Sequence, residues 1–315
     1  MLVANTLMEK LNRALAKYEQ YRFENIAEVT GVTIYQTPER LQHEPAEQGV
    51  AIEKGASWGN EGITGWFRCD YVIPEEFDGK RLFVGARTNG ETLWFSNDMV
   101  KGVFDNNHPY VHLVKSAKKG DKYHFAFEAY SGHWFPGCGI GEKNPKITEG
   151  CKSFGGVYIA EEREDVRDFI FDLATIISFV KGTRGDKNNF RSAKAMKTLE
   201  KVFAVINGDP DETPESEWRP KLKEACKIMK PFLSSKNSAT APTIGLVGHS
   251  HIDTAWLWPI SETRRKCGRT FSSVLNLMEQ NEDFIFIQSA PCHADFVRQD
   301  YPELFARIQE RVKEG

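Results

Sequence analysis

The stretch TIGLVGHSHIDTAWLWPI, Thr243–Ile260, joins a short apolar run to two histidines, an aspartate and two tryptophans. The apolar run TIGLV, which ends at a glycine, is typical of a buried β-strand. The segment that follows, ETRRKCGRTFSSVLNLMEQN, has the pattern of an amphipathic helix. A second apolar run, FIFIQS, precedes another helical pattern that Pro302 opens. This order of strand, helix, strand and helix predicts a parallel sheet covered by helices.

Three polar residues, His249, His251 and Asp253, follow the first of these strands at alternate positions. In extended backbone, alternate side chains project to one side. Sites of α/β folds lie at the carboxyl ends of parallel strands, where loops converge. Imidazole and carboxylate together suit zinc, manganese or cobalt better than calcium. The stretch therefore predicts a metal or catalytic site that needs further ligands from later segments.

Trp256 and Trp258 come directly after this cluster. Aromatic faces beside polar groups are a common way to bind the apolar face of a sugar ring, and either tryptophan could instead be a core residue. Trp256, which is nearer to the polar residues, is the better candidate for a substrate contact.

The first half of the chain has a different pattern, with short strands of alternating polarity separated by turn residues such as TNG, SND and DNNHP. Strands at roughly ten-residue spacing predict an antiparallel sandwich over about residues 28–160. In KYHFAFEAY the pattern directs Glu128 outward and Phe125, Phe127 and Ala129 inward. In GWFRCDYVI it directs inward Phe67, Cys69, Tyr71 and Ile73.

Helical patterns lie on both sides of the predicted sandwich. The N-terminal segment, 1–27, has an amphipathic stripe, and 161–235 contains three helical segments that we call the helical spacer. The polar stretch Ser234–Pro242 is the best linker, and 243–315 is the predicted start of an incomplete catalytic domain. The predicted stripes are Leu7, Leu11, Leu15 and Tyr18, and Val166, Ile170, Leu173, Ile177 and Val180.

Composition excludes several classes of protein. The 315 residues carry a formal net charge of −3 and no basic block, which argues against binding to nucleic acid or anionic membranes. No apolar run reaches the length of a membrane span, and the N-terminus has charges where a secretory signal would be apolar. The six cysteines form no C-x-x-C pair and are typical of reduced thiols in a cytoplasmic protein.

The long motif GHSHIDTAWLWPI, with the segments that follow it, resembles glycoside hydrolase family 38, the class II α-mannosidases. The resemblance is to the cytosolic and vacuolar branch, and TGWFRCDYVIPEEFDGKRLFVG and GETLWFSND are similar to the N-terminal β-domain of that branch. It implies a multidomain chain. A jelly-roll-like sandwich and a helical spacer would precede the first βαβα units of a (β/α)-barrel-like catalytic domain, truncated here.

The resemblance also implies an activity, that of a retaining exo-α-mannosidase that removes terminal mannose from oligosaccharides with the help of one divalent metal, zinc or else cobalt. It assigns His251 and Asp253 as metal ligands and Trp256 as a wall of the mannose pocket. It makes His249 a residue that orients His251 or the loop. Members of this branch are often oligomers, so the resemblance is compatible with a homo-oligomer of the full-length protein.

The carboxylates of the reaction are not among the residues that carry the resemblance. Retaining hydrolysis needs a nucleophile and an acid/base about 5 Å apart, and the resemblance places both beyond Gly315. Asp283, Asp295 and Asp300 match no such motif. We therefore expect no catalytic residue in this chain, and no mannosidase activity from this N-terminal portion alone.

Two other functions remain open at this point. The sandwich could be a non-catalytic carbohydrate-binding or scaffolding module, with SGHWFPGCGIG, Ser131–Gly141, as a sugar-contact loop and Trp58, Trp94 and Trp134 as exposed aromatic residues. The same aromatic residues could instead pack against the catalytic domain. A metal-dependent hydrolase or deacetylase of another family would also use His-x-His-x-Asp, but the TAWLWPI continuation argues against it.

Overall fold

The computed structural model describes residues 2–132, 152–183, 189–256 and 258–315. The chain divides into two compact units, and neither is continuous in sequence. Unit 1 consists of Met1–Glu24 and Glu161–Ile244, and unit 2 of Asn25–Ala160 and Gly245–Gly315. The first helix thus shares a unit with the helical spacer, and the segment after the linker shares one with the sandwich. The four segments predicted from the sequence, 1–27, 28–160, 161–235 and 243–315, stay a prediction.

Unit 1 is helical, and its helices are α1 (Leu2–Glu19), α2 (Glu164–Thr183), α3 (Phe190–Val205) and α4 (Glu215–Leu233). The predicted stripe of α2 is buried at all five positions, and Leu11 and Tyr18 of α1 are buried in the same core. The stripes predicted from the sequence are therefore confirmed. Asn189 caps α3, since its side chain accepts a hydrogen bond from the Ser192 N–H.

Unit 2 contains a β-sandwich. Its strands are β1 (Phe23–Val29), β2 (Thr33–Thr37), β3 (Val50–Ala51), β4 (Ser57–Trp58), β5 (Thr64–Val72), β6 (Leu82–Ala86), β7 (Glu91–Ser96), β8 (Met99–Phe104), β9 (Tyr110–Val114), β10 (Lys122–Tyr130), β11 (Lys152–Ser153) and β12 (Val157–Glu162). A four-stranded sheet has the order β1-β12-β6-β9, and a six-stranded sheet has the order β3-β2-β5-β10-β7-β8. β10 pairs antiparallel with both β5 and β7.

The main core of the sandwich contains side chains from both sheets, among them Phe67, Trp94, Phe125, Val84 and Ile159. The predicted antiparallel sandwich is thus confirmed. The inward positions predicted for β5 and β10 agree with this core, where Phe67, Cys69, Ile73, Phe125, Phe127 and Ala129 are buried and Tyr71 is partly buried.

The second part of unit 2 consists of β13 (Gly248–His249), α5 (Ile260–Gln280), β14 (Phe286–Ile287), α6 (Pro291–Asp300) and α7 (Pro302–Glu314). β13 and β14 pair in parallel, with Gly248 opposite Phe286 and His249 opposite Ile287. The predicted strand–helix–strand–helix order is therefore confirmed, with α6 as an additional helix that the sequence did not predict. The barrel-like arrangement stays a prediction.

The burial predicted for these two strands is wrong. Each strand has only two residues, and the apolar side chains around them are more than half exposed: Leu246, Val247, Ile285 and Ile287. The physical reason is that a sheet of two short strands does not bury its own apolar side chains, which need neighbouring strands and helices to cover them.

The other face of the six-stranded sheet is covered by α5 and by residues of α6 and α7. Trp66, Leu93, Phe95 and Ala126 form a core there with Cys267 and Phe271, among others. Glu128, predicted to point outward, lies on this face and is only 1% exposed. That prediction is wrong because the alternation marks two faces of a strand, but it does not reveal that a distant helix covers the second one.

No helix in the part of the chain that the structure describes is long and apolar enough to cross a membrane.

Candidate functional site

The loop between β13 and α5 begins at the parallel pair of β13 and β14. A Cβ atom on Gly248 would lie 2.9 Å from Cζ of Phe284, so a side chain there would collide with the Phe284 ring. The Gly248 N–H donates to the Ile285 carbonyl at 2.7 Å, and the Gln288 amide donates to the Ser250 carbonyl at 3.0 Å. These contacts fix the start of the loop next to β14.

A single buried hydroxyl in the first turn of α5 holds the loop from the other side. Thr263 Oγ1 accepts from the Ala255 N–H at 3.0 Å and from Nε1 of Trp258 at 3.1 Å, and it donates to the Asp253 carbonyl at 3.3 Å. Ala255 has a φ of 64°, in the left-handed region that costs a residue with a Cβ about 1–2 kcal/mol. The hydrogen bond from its N–H helps to offset this cost.

A third contact comes from α6. Nε2 of His293 lies 2.8 Å from Oγ1 of Thr254, the residue after Asp253. His293 is buried, and burial lowers its pKa, with a smaller contribution from His251. The ring is therefore neutral near pH 7 and holds Thr254 by a hydrogen bond. No sequence pattern indicated His293, because this residue lies on α6, the helix that was not predicted.

The structure brings His251 and Asp253 together. Nε2 of His251 lies 3.0 Å from Oδ1 of Asp253, and the two side chains are 80% and 43% exposed. His249 contacts Ser289 instead, with Nε2 at 3.4 Å from its Oγ. Trp256 is 65% exposed, and its ring packs edge-to-face with the Trp258 ring, with 5.6 Å between the ring centres. Two of the three polar residues singled out from the sequence therefore form a pair, and the third lies apart from it.

A nitrogen and an oxygen donor at this spacing fit one zinc or cobalt ion. Zinc binds imidazole and carboxylate at about 2.0–2.2 Å, so two donors of one ion lie roughly 3–3.5 Å apart. The 3.0 Å between His251 and Asp253 is within this range. The structure contains no group of three or more His, Cys, Asp or Glu side chains positioned for a metal within the residues it describes. Two donors are half of a tetrahedral ligand set, so a metal bound here would need further ligands.

A cavity of about 390 Å³ adjoins this pair and is lined by both parts of unit 2. The loop contributes His251, Asp253 and Trp258, α5 contributes Lys266 and Arg269, and the sandwich contributes Glu91, Asp105 and His108. Glu91 binds Lys266 at 2.6 Å and Arg269 at 3.1 Å. Burial alone would raise the pKa of Glu91, but these two cations outweigh it and hold the pKa below its usual value. Nζ of Lys266 lies 4.5 Å from the centre of the Trp258 ring, a cation–π distance.

A buried charge network connects α5 with the sandwich below the cavity. Arg265 of α5 forms an ion pair with Glu128 of β10 and donates to Oγ1 of Thr64 at 3.1 Å. Arg269 forms an ion pair with Glu262, about two turns away on the same helix. All four charged side chains are 5% exposed or less. The helix that carries Thr263 is thus fixed to the sandwich by paired charges out of contact with water.

Two tryptophans predicted to be exposed are buried, which corrects the case for a sugar-binding sandwich. Trp58 is 1% exposed and donates from Nε1 to the Thr88 carbonyl at 2.8 Å, and Trp94 is 0% exposed in the sandwich core. Neither ring can contact a sugar without unfolding its surroundings. Trp134 and most of the predicted sugar-contact loop lie outside the described residues.

The cysteines in the described part of the chain, Cys69, Cys226, Cys267 and Cys292, are free thiols. Burial raises the pKa of Cys226 to about 11, and those of Cys69 and Cys267 to about 12, so these three are inert thiols at neutral pH. Cys138 and Cys151 lie outside the described residues.

Two segments of the chain match known domain families. Residues 27–154 match the domain described as "Alpha-mannosidase, jelly roll domain", and residues 241–315 match "Glycosyl hydrolases family 38 N-terminal domain". The resemblance drawn from GHSHIDTAWLWPI and from the upstream strands is therefore confirmed.

Curated relatives resemble this chain over most of its length. "Alpha-mannosidase 2C1" of Mus musculus is 31% identical over 288 residues, which are 89% of this chain and 26% of the relative. The Homo sapiens protein of the same name is 30% identical over 91% of this chain and 27% of its own length. "Alpha-mannosidase G" of Dictyostelium discoideum is 25% identical over 91% of this chain and 25% of its own length. The chain thus spans about a quarter of the length of the relatives it matches.

Proposed function

We propose that this chain is the N-terminal portion of a metal-dependent α-mannosidase. The matches to an α-mannosidase jelly roll domain and to a family 38 N-terminal domain support this proposal. The enzyme would be a retaining exo-glycosidase that removes terminal α-linked mannose from oligosaccharides. This portion would supply the first metal-binding loop and part of the mannose pocket. The free thiols support a reducing compartment, the cytoplasm, as the place where it acts.

The observation that carries the proposal is the 3.0 Å contact between His251 and Asp253 at the end of a strand in a parallel pair. We propose that these two side chains bind one divalent ion, zinc or else cobalt. When bound, the ion would offer coordination positions to neighbouring hydroxyl groups of the terminal mannose. Thr263 and His293 would keep the loop in the shape that presents both ligands to the ion.

Two further residues take roles next to the metal. Trp256, largely exposed and three residues after Asp253, would pack one ring face against the sugar. His249 would orient the loop through Ser289, which its Nε2 contacts. The nucleophile and the acid/base would come from outside residues 1–315, so we expect no hydrolysis by this chain alone.

A zinc titration of the purified chain tests the proposal. Because two ligands form half of a tetrahedral site, we expect weak binding that becomes at least roughly tenfold weaker in His251→Ala and in Asp253→Asn. His43→Ala removes another exposed histidine of unit 2 and should bind zinc like the unmodified chain. Equal zinc affinity in all four proteins would contradict the assignment of these ligands.

A further inference from the structure

We infer that the jelly roll domain itself contacts the substrate, through Asp105 and His108, at the sugar unit that follows the terminal mannose. This inference rests on the proposed function, because it extends the same pocket. Both side chains line the cavity of about 390 Å³ together with His251 and Asp253. The cavity falls within the range of about 300–1,000 Å³ that small-molecule sites occupy.

The turn between β8 and β9 presents these two side chains in a fixed arrangement. Oδ1 of Asp105 accepts from the backbone N–H groups of Asn107 at 2.7 Å and His108 at 2.8 Å. The same carboxylate holds Nδ1 of His108, at 2.9 Å from Oδ1 and 3.1 Å from Oδ2. The ring is thus oriented by its own turn.

The oriented imidazole keeps a free hydrogen-bonding atom. The side chain of His108 is 64% exposed, and its Nε2 has no hydrogen-bond partner among the residues that the structure describes. The Asp105 carboxylate can only accept a hydrogen bond, so Nδ1 of His108 carries a proton. Nε2 then accepts from a sugar hydroxyl group in the neutral ring and donates to one in the protonated ring. A ligand can therefore form a hydrogen bond with this atom without breaking an existing one.

The charge of the lining favours a neutral ligand over an anion. Three carboxylates, Glu91, Asp105 and Asp253, face the cavity together with the two cations Lys266 and Arg269. Glu91 already binds both cations, so neither is free to attract a phosphate or a carboxylate from solution. A neutral sugar with several hydroxyl groups matches such a balanced polar wall.

The position of the two side chains selects the part of the substrate they contact. In the proposed function the terminal mannose is held by His251 and Asp253, on the loop after β13. Asp105 and His108 belong to a different element that lines the same cavity. A disaccharide whose terminal mannose is held at the loop would bring its second sugar unit to this other element of the cavity wall, whereas a monosaccharide held at the loop would leave Asp105 and His108 without a partner.

The test compares the binding of two sugars to the 315-residue chain in the presence of zinc, measured by NMR titration. The probes are an α-linked mannobiose and methyl α-mannoside. Loss of one hydrogen bond weakens binding about 2- to 12-fold. We expect His108→Ala to raise the Kd for mannobiose by that factor and to leave the Kd for methyl α-mannoside unchanged. Asn106→Ala, in the same turn but outside the cavity lining, should change neither.

Each outcome decides between the two proposals. An equal loss for both sugars in His108→Ala, or no loss for either, would overturn the role of the jelly roll while the mannoside site stands. Mannobiose binding that depends on His108 but is unchanged by Asp253→Asn would support the jelly roll contact and contradict the proposed metal site. Failure of the unmodified chain to bind either sugar would overturn both.

Discussion

Replacing Arg265 with methionine tests whether the buried charge network holds α5 to the sandwich. Arg265 and its partner Glu128 are 3% and 1% exposed, and Arg265 also donates to Thr64. Removing one member of a buried pair costs about 3–5 kcal/mol, because the remaining charge stays out of water without a partner. We therefore expect Arg265→Met to lower the free energy of unfolding of unit 2 by that amount.

Urea unfolding followed by tryptophan fluorescence measures this change, since Trp66 and Trp94 are buried in unit 2. With a slope of about 2 kcal/mol per molar urea, a loss of about 3–5 kcal/mol lowers the midpoint by roughly 1.5–2.5 M. The loss of stability caused by Arg265→Met should be smaller at pH 6 than at pH 8. Burial raises the pKa of Glu128 to about 7 although Arg265 lowers it, so the isolated carboxyl takes up a proton in the acidic sample.

Two further variants make the test specific. Arg298→Met removes a surface pair with Asp295, in which the side chains are 57% and 47% exposed, and should cost less than about 1 kcal/mol. Adding Glu128→Met to Arg265→Met removes both buried charges and should restore most of the lost stability. A cost for Arg265→Met no larger than that for Arg298→Met, or simple additivity of the two buried substitutions, would mean that the buried pair does not hold α5 to the sandwich.

Three other changes have defined outcomes. Thr263→Val leaves the Ala255 N–H and the Trp258 indole N–H unpaired, which should cost about 1–3 kcal/mol in urea unfolding and reduce the near-ultraviolet circular dichroism of the loop tryptophans. Thr263→Ser retains the hydroxyl group and should keep both hydrogen bonds, so equal behaviour of the two variants would contradict this contact. Burial lowers the pKa of His112 from 6.5 to about 4, so its folded form is neutral, and about 3 kcal/mol of stability should be lost as the pH falls from above 6.5 to 4. His112→Phe should flatten that part of the stability profile, and an unchanged profile would exclude this group as its source. Leu222→Ala, in the core of unit 1, should cost about 2–5 kcal/mol in thermal unfolding, and a cost under about 1 kcal/mol would mean that this core readily rearranges.

Local patterns predicted the elements that local interactions determine. The third helix of the spacer was predicted near Glu215–Leu233, and α4 has those bounds because its apolar stripe lies between helix-ending signals. The sequence missed α6, since PCHADFVRQD is a short segment whose helical period is not evident before its partners are known. The outward prediction for Glu128 failed because a helix more than a hundred residues later covers that face.

In the candidate site, too, the local contact could be predicted from the sequence and the long-range contacts could not. His251 and Asp253 are two residues apart, so their contact follows from the alternation of an extended segment. Thr263 and His293 are 10 and 40 residues from Asp253, and their contacts with the loop depend on how α5 and α6 pack. The contribution of the sandwich to the cavity comes from still further away, and no spacing in the sequence indicates it.

The first helix has a consequence for how the chain is made. α1 leaves the ribosome before α2, but Tyr18 packs against Phe169 and Trp218, and α2 begins only at Glu164. At about 5–20 residues per second, roughly 7–30 s of synthesis separate the end of α1 from the first helix that can bury its apolar side chains. During that interval the complete sandwich sequence must emerge between them. The nascent chain therefore exposes an amphipathic helix throughout the synthesis of the sandwich, and a chaperone that shields such helices would protect it from aggregation.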